Sequence, residues 1–273
     1  MKLFAKKSLG QHFLNSAHVL EQIIAAANLK EGDTVLEIGP GTGVLTRALL
    51  AVGVNVVAVE KDTRAIALLK ETFIEKISAG KLNLVEGDIL EMEPEMLAAA
   101  PYSLLPNSFS IIANIPYYIT GAILEKFLEH GPRPDKMVLL VQKEVAERIV
   151  TRDGKESILS VSVKAFGTPK LVAKVPPGAF TPPPTVDSAI LSITNISDRL
   201  FSEKHVEISR FFSIVKAGFA HKRKFALRNI EAVLTPEEAT AVWAAISLNP
   251  KIRAEDMTIE NWIDITAQLK AKP

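Results

Sequence analysis

Cysteine is absent from the 273 residues, which excludes disulfides, thiolate nucleophiles and sulfur-ligated zinc together and suits a reducing compartment. An excess of charge is missing as well. The chain has 32 basic and 31 acidic residues, a formal net charge of +1, so no global field advertises a polyanionic partner and any nucleic-acid surface must be local. The five histidines are scattered, without an H-E-x-x-H pair or an acidic cluster beside them in the sequence, and no metal is expected. No apolar run approaches a membrane span, and the opening MKLFAKKSLGQHFLN carries basic residues without the apolar core of a signal peptide. The expectation is a soluble, unexported, cytoplasmic protein that does not contact a membrane. What the chain does have is 48% apolar and 23% charged residues, the profile of a folded protein long enough for a larger and a smaller domain.

Hydrophobic period organises the first two thirds. TVLEIG (34–39), NVVAVE (55–60), KLNLVEGD (81–88), FSIIAN (109–114) and KMVLLVQ (136–142) are short apolar runs suited to strands covered on both faces. Helical patterns over 44–52, 63–77, 119–130 and 143–150 separate them, and strand alternating with helix at this spacing predicts a parallel α/β sheet. Ser16 is a candidate N-cap for a preceding helix. Two further strands, 171–175 and 186–193, flank a proline-rich stretch that cannot hold a ladder but stiffens a loop. Beyond about Asp198 every apolar pattern is helical, which places a catalytic domain at 1–198 and an all-helical domain at 199–273.

The chemistry starts where the first strand ends. EIGPGTG puts Glu37, Gly39, Gly41 and Gly43 ahead of a helix, the position at which an open α/β sheet receives a nucleotide. Glu60 follows Gly39 by roughly 21 residues, the distance at which a carboxylate reaches a ribose diol. The spacing is G-x-G-x-G rather than the dinucleotide G-x-G-x-x-G, and a carboxylate two residues upstream is a poor host for phosphate. It suits a cation. Asp88 closes the third strand and offers an acceptor to an adenine amino group, and Asn114 closes the fourth. Partners at four successive strand ends are what S-adenosylmethionine requires for its amino acid, ribose, adenine and methyl.

GQHFLN, EIGPGTGVLT, NIPYYIT, LVQKEVAERIV, FTPPPTVDSAI and HKRKFALRNI, in that order over nearly the whole chain, resemble the KsgA-type ribosomal RNA adenine N6,N6-dimethyltransferases. The resemblance implies a class I S-adenosylmethionine-dependent methyltransferase: a Rossmann-like sheet of seven strands, the last pair antiparallel, followed by a small all-helical C-terminal domain. It implies cofactor contacts at His12, Leu14, Gly39, Glu60, Asp88 and Asn114. Catalysis would fall to Asn114 and the Ile115 carbonyl, aimed by Pro116, with Tyr117 and Phe180 sandwiching the target base. The exocyclic amine of adenine is a poor nucleophile because its lone pair is delocalised; two acceptors at the amine would free that lone pair, and positioning supplies much of the rest. The base must be extruded or already unstacked.

Lys216, Lys222, Arg223, Lys224 and Arg228 fall within about four helical turns, and with Arg253 and the leading Lys6 and Lys7 they form the expected RNA footprint. The implied substrate is a pair of adjacent adenosines in the last hairpin loop of 16S rRNA, within an immature small ribosomal subunit. Nothing in the sequence demands more than a monomer. Three alternatives stay open here: a large-subunit methyltransferase of the macrolide-resistance type, a non-catalytic ribosome-assembly or RNA-binding factor, and a nicotinamide dehydrogenase. Tyr118, where many relatives carry a smaller polar residue, has no assigned role.

Overall fold

A computed structural model describes residues 3–6, 10–93, 108–151 and 154–269; Lys7 lies outside them. The chain forms two compact units, one from 1–146 with 169–196 and the other from 147–168 with 197–273. The second unit therefore takes in a stretch well ahead of the expected boundary at 198. Its physical reason is helix α7 (Ile158–Lys164), two residues beyond which Phe166 packs on Phe201 and Phe212 with ring centroids 5.0 and 6.1 Å apart.

The first unit is built on a seven-stranded sheet ordered β4 (Leu82–Glu86), β3 (Asn55–Glu60), β2 (Thr34–Ile38), β5 (Ser110–Asn114), β6 (Lys136–Gln142), β9 (Ser188–Thr194), β7 (Thr168–Val175). The pairs among β4, β3, β2, β5 and β6 are parallel, and β9 runs antiparallel to β6. Consecutive residues of a strand face opposite sides, and Val35 with Leu36, Ile111 with Ile112, and Val138 with Leu139 are all buried. Both faces are thus covered, which is why the strands read as continuous apolar runs. Helix α1 (Ala17–Ala27) begins at Ser16, whose side chain accepts from the Val19 amide, and packs on β6 and β9. Helix α2 (Val44–Val52) lies against β3, and α3 (Thr63–Thr72) against β3 and β4. The predicted single helix over 119–130 instead starts as a 3-10 turn at Tyr117–Ile119, is α-helical as α5 over Thr120–Leu124 and ends as a π turn at Glu125–His130. On that turn His130 does have acidic neighbours: ligand atoms of Glu125, Glu129 and His130 lie within 4.8 Å of one another.

A two-residue strand β1 (Phe13–Leu14) pairs antiparallel with β8 (Phe180–Thr181). This ties the N-terminal arm to a segment some 166 residues later, and Asn15 reinforces it by donating to the Thr181 hydroxyl at 2.7 Å and to the Ala179 carbonyl at 2.9 Å.

In the helical unit α9 (Ile208–Gly218) packs on α7, on α10 (Ala226–Ile230) and on α12 (Ile259–Gln268). A Cβ at Gly218 would meet the Trp262 ring at 2.3 Å, and Trp262 is fully buried. Gly218→Ala should cost about 1–3 kcal/mol by overpacking. Both tryptophans of the chain, 243 and 262, lie in this unit, so the expected result is a lower urea midpoint by tryptophan fluorescence; an unchanged midpoint would show that the ring can yield.

Candidate functional site

A cavity of about 200 Å³ opens at the carboxyl ends of the parallel strands and is lined by residues of the arm, the glycine loop and all four strand ends. His12, Leu14, Gly39, Glu60, Asp88 and Asn114, far apart in the chain, all border it. Gly39 donates its amide to the Val59 carbonyl at 2.9 Å and holds φ at +68°; the space its missing Cβ would fill is open, so a ligand can lie directly on the backbone.

Three carboxylates surround this loop in different states. Glu60 is buried and accepts from the Gly41 amide at 3.0 Å and the Asp62 amide at 2.8 Å. Burial still holds its carboxyl above the ordinary range despite those bonds. Asp88 is held below the ordinary range: burial acts to raise it, but the Lys61 hydrogen bond at 2.6 Å, the Leu90 amide and the nearby ammonium charges hold it low. Glu37 is the extreme case, 1% exposed, with neither oxygen hydrogen-bonded. Burial pushes it up to about 8; the nearby Thr46 hydroxyl and amide, too poorly placed for full hydrogen bonds, draw it back somewhat and the Glu60 charge raises it again. A buried carboxyl without a partner at the wall of a cavity is costly to the empty protein and suits an incoming ammonium group.

Asn114 borders the same cavity. Its Nδ2 donates to the His12 carbonyl at 3.1 Å, which leaves the side-chain oxygen as the acceptor facing a ligand. The arm is pinned elsewhere too. His12 Nδ1 donates to the Pro182 carbonyl at 2.8 Å, and Gln11 donates to Asp62, which Arg64 grips through two nitrogens at 2.6 and 3.0 Å. That fork holds the Asp62 carboxyl at about 2.

Of the two aromatic residues expected to sandwich the base, Phe180 falls differently from expectation. Tyr117 is half-buried, its hydroxyl 2.6 Å from that of Ser188 and its ring stacked beside His12 with centroids 6.0 Å apart. Phe180 is 2% exposed and belongs to the hydrophobic core with Leu14, Val175 and Ala179. Pairing of β8 with β1 turns that ring inward, so Phe180 is not an open stacking face. Tyr118, which the sequence left without a role, borders the cavity and is exposed.

A family model for ribosomal RNA adenine dimethylase matches residues 3–271. The chain belongs to that family. It is 41% identical to a ribosomal RNA small subunit methyltransferase A of Dehalococcoides mccartyi, over 99% of this chain and 90% of the relative. A protein of the same name from Synechococcus elongatus is 37% identical over 97% and 95%. Among solved structures, a dimethyladenosine transferase from Plasmodium falciparum superposes with a TM-score of 0.77 at 26% identity, covering 93% of this chain and 96% of that one. The 23S rRNA methyltransferase ErmE does so at 0.71 and 25% identity, covering 95% and 100%. As a ribosomal RNA adenine dimethylase the protein is an S-adenosylmethionine-dependent methyltransferase of class I fold, and the cavity fits that cofactor: an orphaned buried carboxyl for its ammonium, an open glycine backbone, and carboxylates at the next two strand ends.

Of the basic residues expected to meet rRNA, Lys6 falls in the first unit, and Lys216, Lys222, Arg223, Lys224, Arg228 and Arg253 lie in the helical unit. Lys222, Arg223 and Lys224 are not on a helix; they form an exposed turn between α9 and α10. Asn229 holds that turn, and its pattern in the sequence gave no sign of it: buried, it donates to the Gly218 carbonyl at 2.6 Å and the His221 carbonyl at 3.1 Å. The Ala226 amide donates to the Ile252 carbonyl at 2.9 Å, which brings exposed Arg253 alongside. Arg228 is paired with Glu231 at 2.7 Å, whereas Lys222, Arg223, Lys224 and Arg253 have no carboxylate partner among the described residues. No helix among the described residues is long and apolar enough to cross a membrane.

Proposed function

We propose that the protein dimethylates N6 of two adjacent adenosines in the last hairpin loop of 16S rRNA, within an immature small subunit. The carrying observation is Asn114, its nitrogen committed to the arm and its oxygen left to the cavity. S-adenosylmethionine supplies, when bound, an electrophilic methyl on a positively charged sulfur. Glu37 and the Gly39 backbone hold its amino acid part, Glu60 its ribose hydroxyls and Asp88 its adenine. The Asn114 oxygen and the Ile115 carbonyl accept from the target amine, so that its nitrogen gives up conjugation and presents a lone pair. Pro116 sets the turn that aims them. Tyr117, anchored through Ser188, is a braced platform for the flipped base. Phe180 acts by holding β8, and with it the carbonyl that fixes His12, rather than by stacking.

The unpaired Lys222, Arg223, Lys224 and Arg253 contact phosphate and position the subunit without reading sequence. Preference for the small subunit is supported by the relatives' names and by the closer superposition on the dimethyladenosine transferase than on ErmE. Incubation with methyl-labelled cofactor and undermethylated ribosomal subunits is the test. Dimethyladenosine, read by mass spectrometry, is expected in small-subunit rRNA; label confined to the large subunit, or none at all, overturns the reading.

A further inference from the structure

Tyr118 is the cavity residue that the proposed chemistry leaves unused. It is 69% exposed, an unusual condition for a large ring, yet it borders the same cavity as Lys61, Gly87, Asp88, Ile89 and Leu90 at the ends of β3 and β4. Its neighbour Tyr117 does not border that cavity. A Cβ at Gly10 would lie 3.3 Å from Tyr118 Cε1, so the ring rests against the arm where the arm carries no side chain. Lys61 borders the same cavity. Its ammonium is held above its ordinary range chiefly by the hydrogen bond and charge of Asp88, and Tyr118 also bears on it. The ring thus rests on the arm at Gly10 and shares the cavity with the strand ends that offer acceptors to an adenosine.

We propose that Tyr118 is a cofactor-binding residue that closes over the adenosine half of S-adenosylmethionine. The inference rests on the function given above. An aromatic ring exposed in the empty protein becomes covered when a purine slides beneath it, and a flat π face grips any purine without a hydrogen bond. Because Gly10 backs the ring, the adenosine is held between fixed surfaces rather than by a loose side chain.

Titration calorimetry with S-adenosylhomocysteine and with adenosine tests this on the wild type, Tyr118→Ala and Tyr118→Phe. Tyr118→Ala should weaken both ligands roughly ten-fold, and Tyr118→Phe should stay within about two-fold of the wild type because the ring is kept. Filter binding to small subunits should be unchanged in both variants. Wild-type affinity for both ligands in Tyr118→Ala overturns the inference, and if subunit binding or the KM for rRNA shifts instead, the ring stacks on a substrate base. A wild type that binds no S-adenosylhomocysteine overturns the functional reading itself. Since Tyr118 is exposed, an unchanged melting temperature is expected for both variants, and a Tyr118→Phe that binds as weakly as Tyr118→Ala would also overturn the stacking role.

Discussion

Asn114→Ala should lower the rate of methyl transfer by about 10²- to 10³-fold, the loss typical of removing one aligned group that acts on a developing charge, while small-subunit binding stays within about two-fold. The asymmetry follows from where the side chain sits. Asn114 borders the cavity, whereas the basic turn proposed for RNA lies in the other unit. Losing the amide also frees the His12 carbonyl, so a modest rise in the KM for cofactor should accompany the fall in kcat. Single-turnover transfer rates and filter binding, measured on the same preparation, separate the two effects. Loss of subunit binding together with transfer would make Asn114 a structural residue.

Glu37→Gln should stabilise the empty protein and weaken its hold on the cofactor. In the folded chain the Glu37 carboxyl titrates near 8 rather than at its ordinary 4.5. Between those values the unfolded chain gives up this proton and the folded one keeps it, so stability falls as pH rises through the window, by about 1.4 kcal/mol per unit. At pH 7 the cost approaches about 3 kcal/mol, and it is complete above pH 8. Glutamine removes it. Thermal melts of the wild type should therefore decline from pH 5 to 8 more steeply than those of Glu37→Gln, with the variant melting several degrees higher, roughly, at pH 8. S-adenosylhomocysteine should bind the variant more weakly, because glutamine, unlike the carboxyl, cannot give up a proton to meet the ligand's ammonium as a charge. Parallel melting curves for the two proteins would mean that Glu37 is ionised and partnered in the empty cavity. Glu60 shifts in the same direction but keeps two amide partners, so it does not produce the same contrast.

The sheet was legible because its inner strands are buried on both faces: β3 and β6 have the limits that their apolar runs predict, and α2 likewise. Strand-end residues were legible for the same reason, since a parallel sheet delivers them to one edge whatever the helices do. Long-range pairing was not. Nothing local in GAFTP says that Phe180 will lie opposite Leu14, and without that pairing an aromatic on a proline-stiffened loop reads as an open ring. The basic cluster misled in another way. Lys222 to Lys224 sit between helical patterns and were counted as turns of helix, yet the two side-chain bonds of Asn229 stabilise a turn there instead. Residues 158–164, I-L-S-V-S-V-K, alternate as a strand would; the reciprocal capping of Ser157 and Ser160 and the packing on α9 make them helix α7.

That helix gives the order of synthesis a consequence. Residues 147–168 leave the ribosome before the strands β7 and β9 that complete the sheet, but the aromatic partners of Phe166, at 201 and 212, emerge only afterwards. The nascent chain must therefore carry this segment without its aromatic partners while the strands of the first unit are completed. A protein shortened at residue 196 would keep every strand of the sheet and leave Phe166 permanently without those partners.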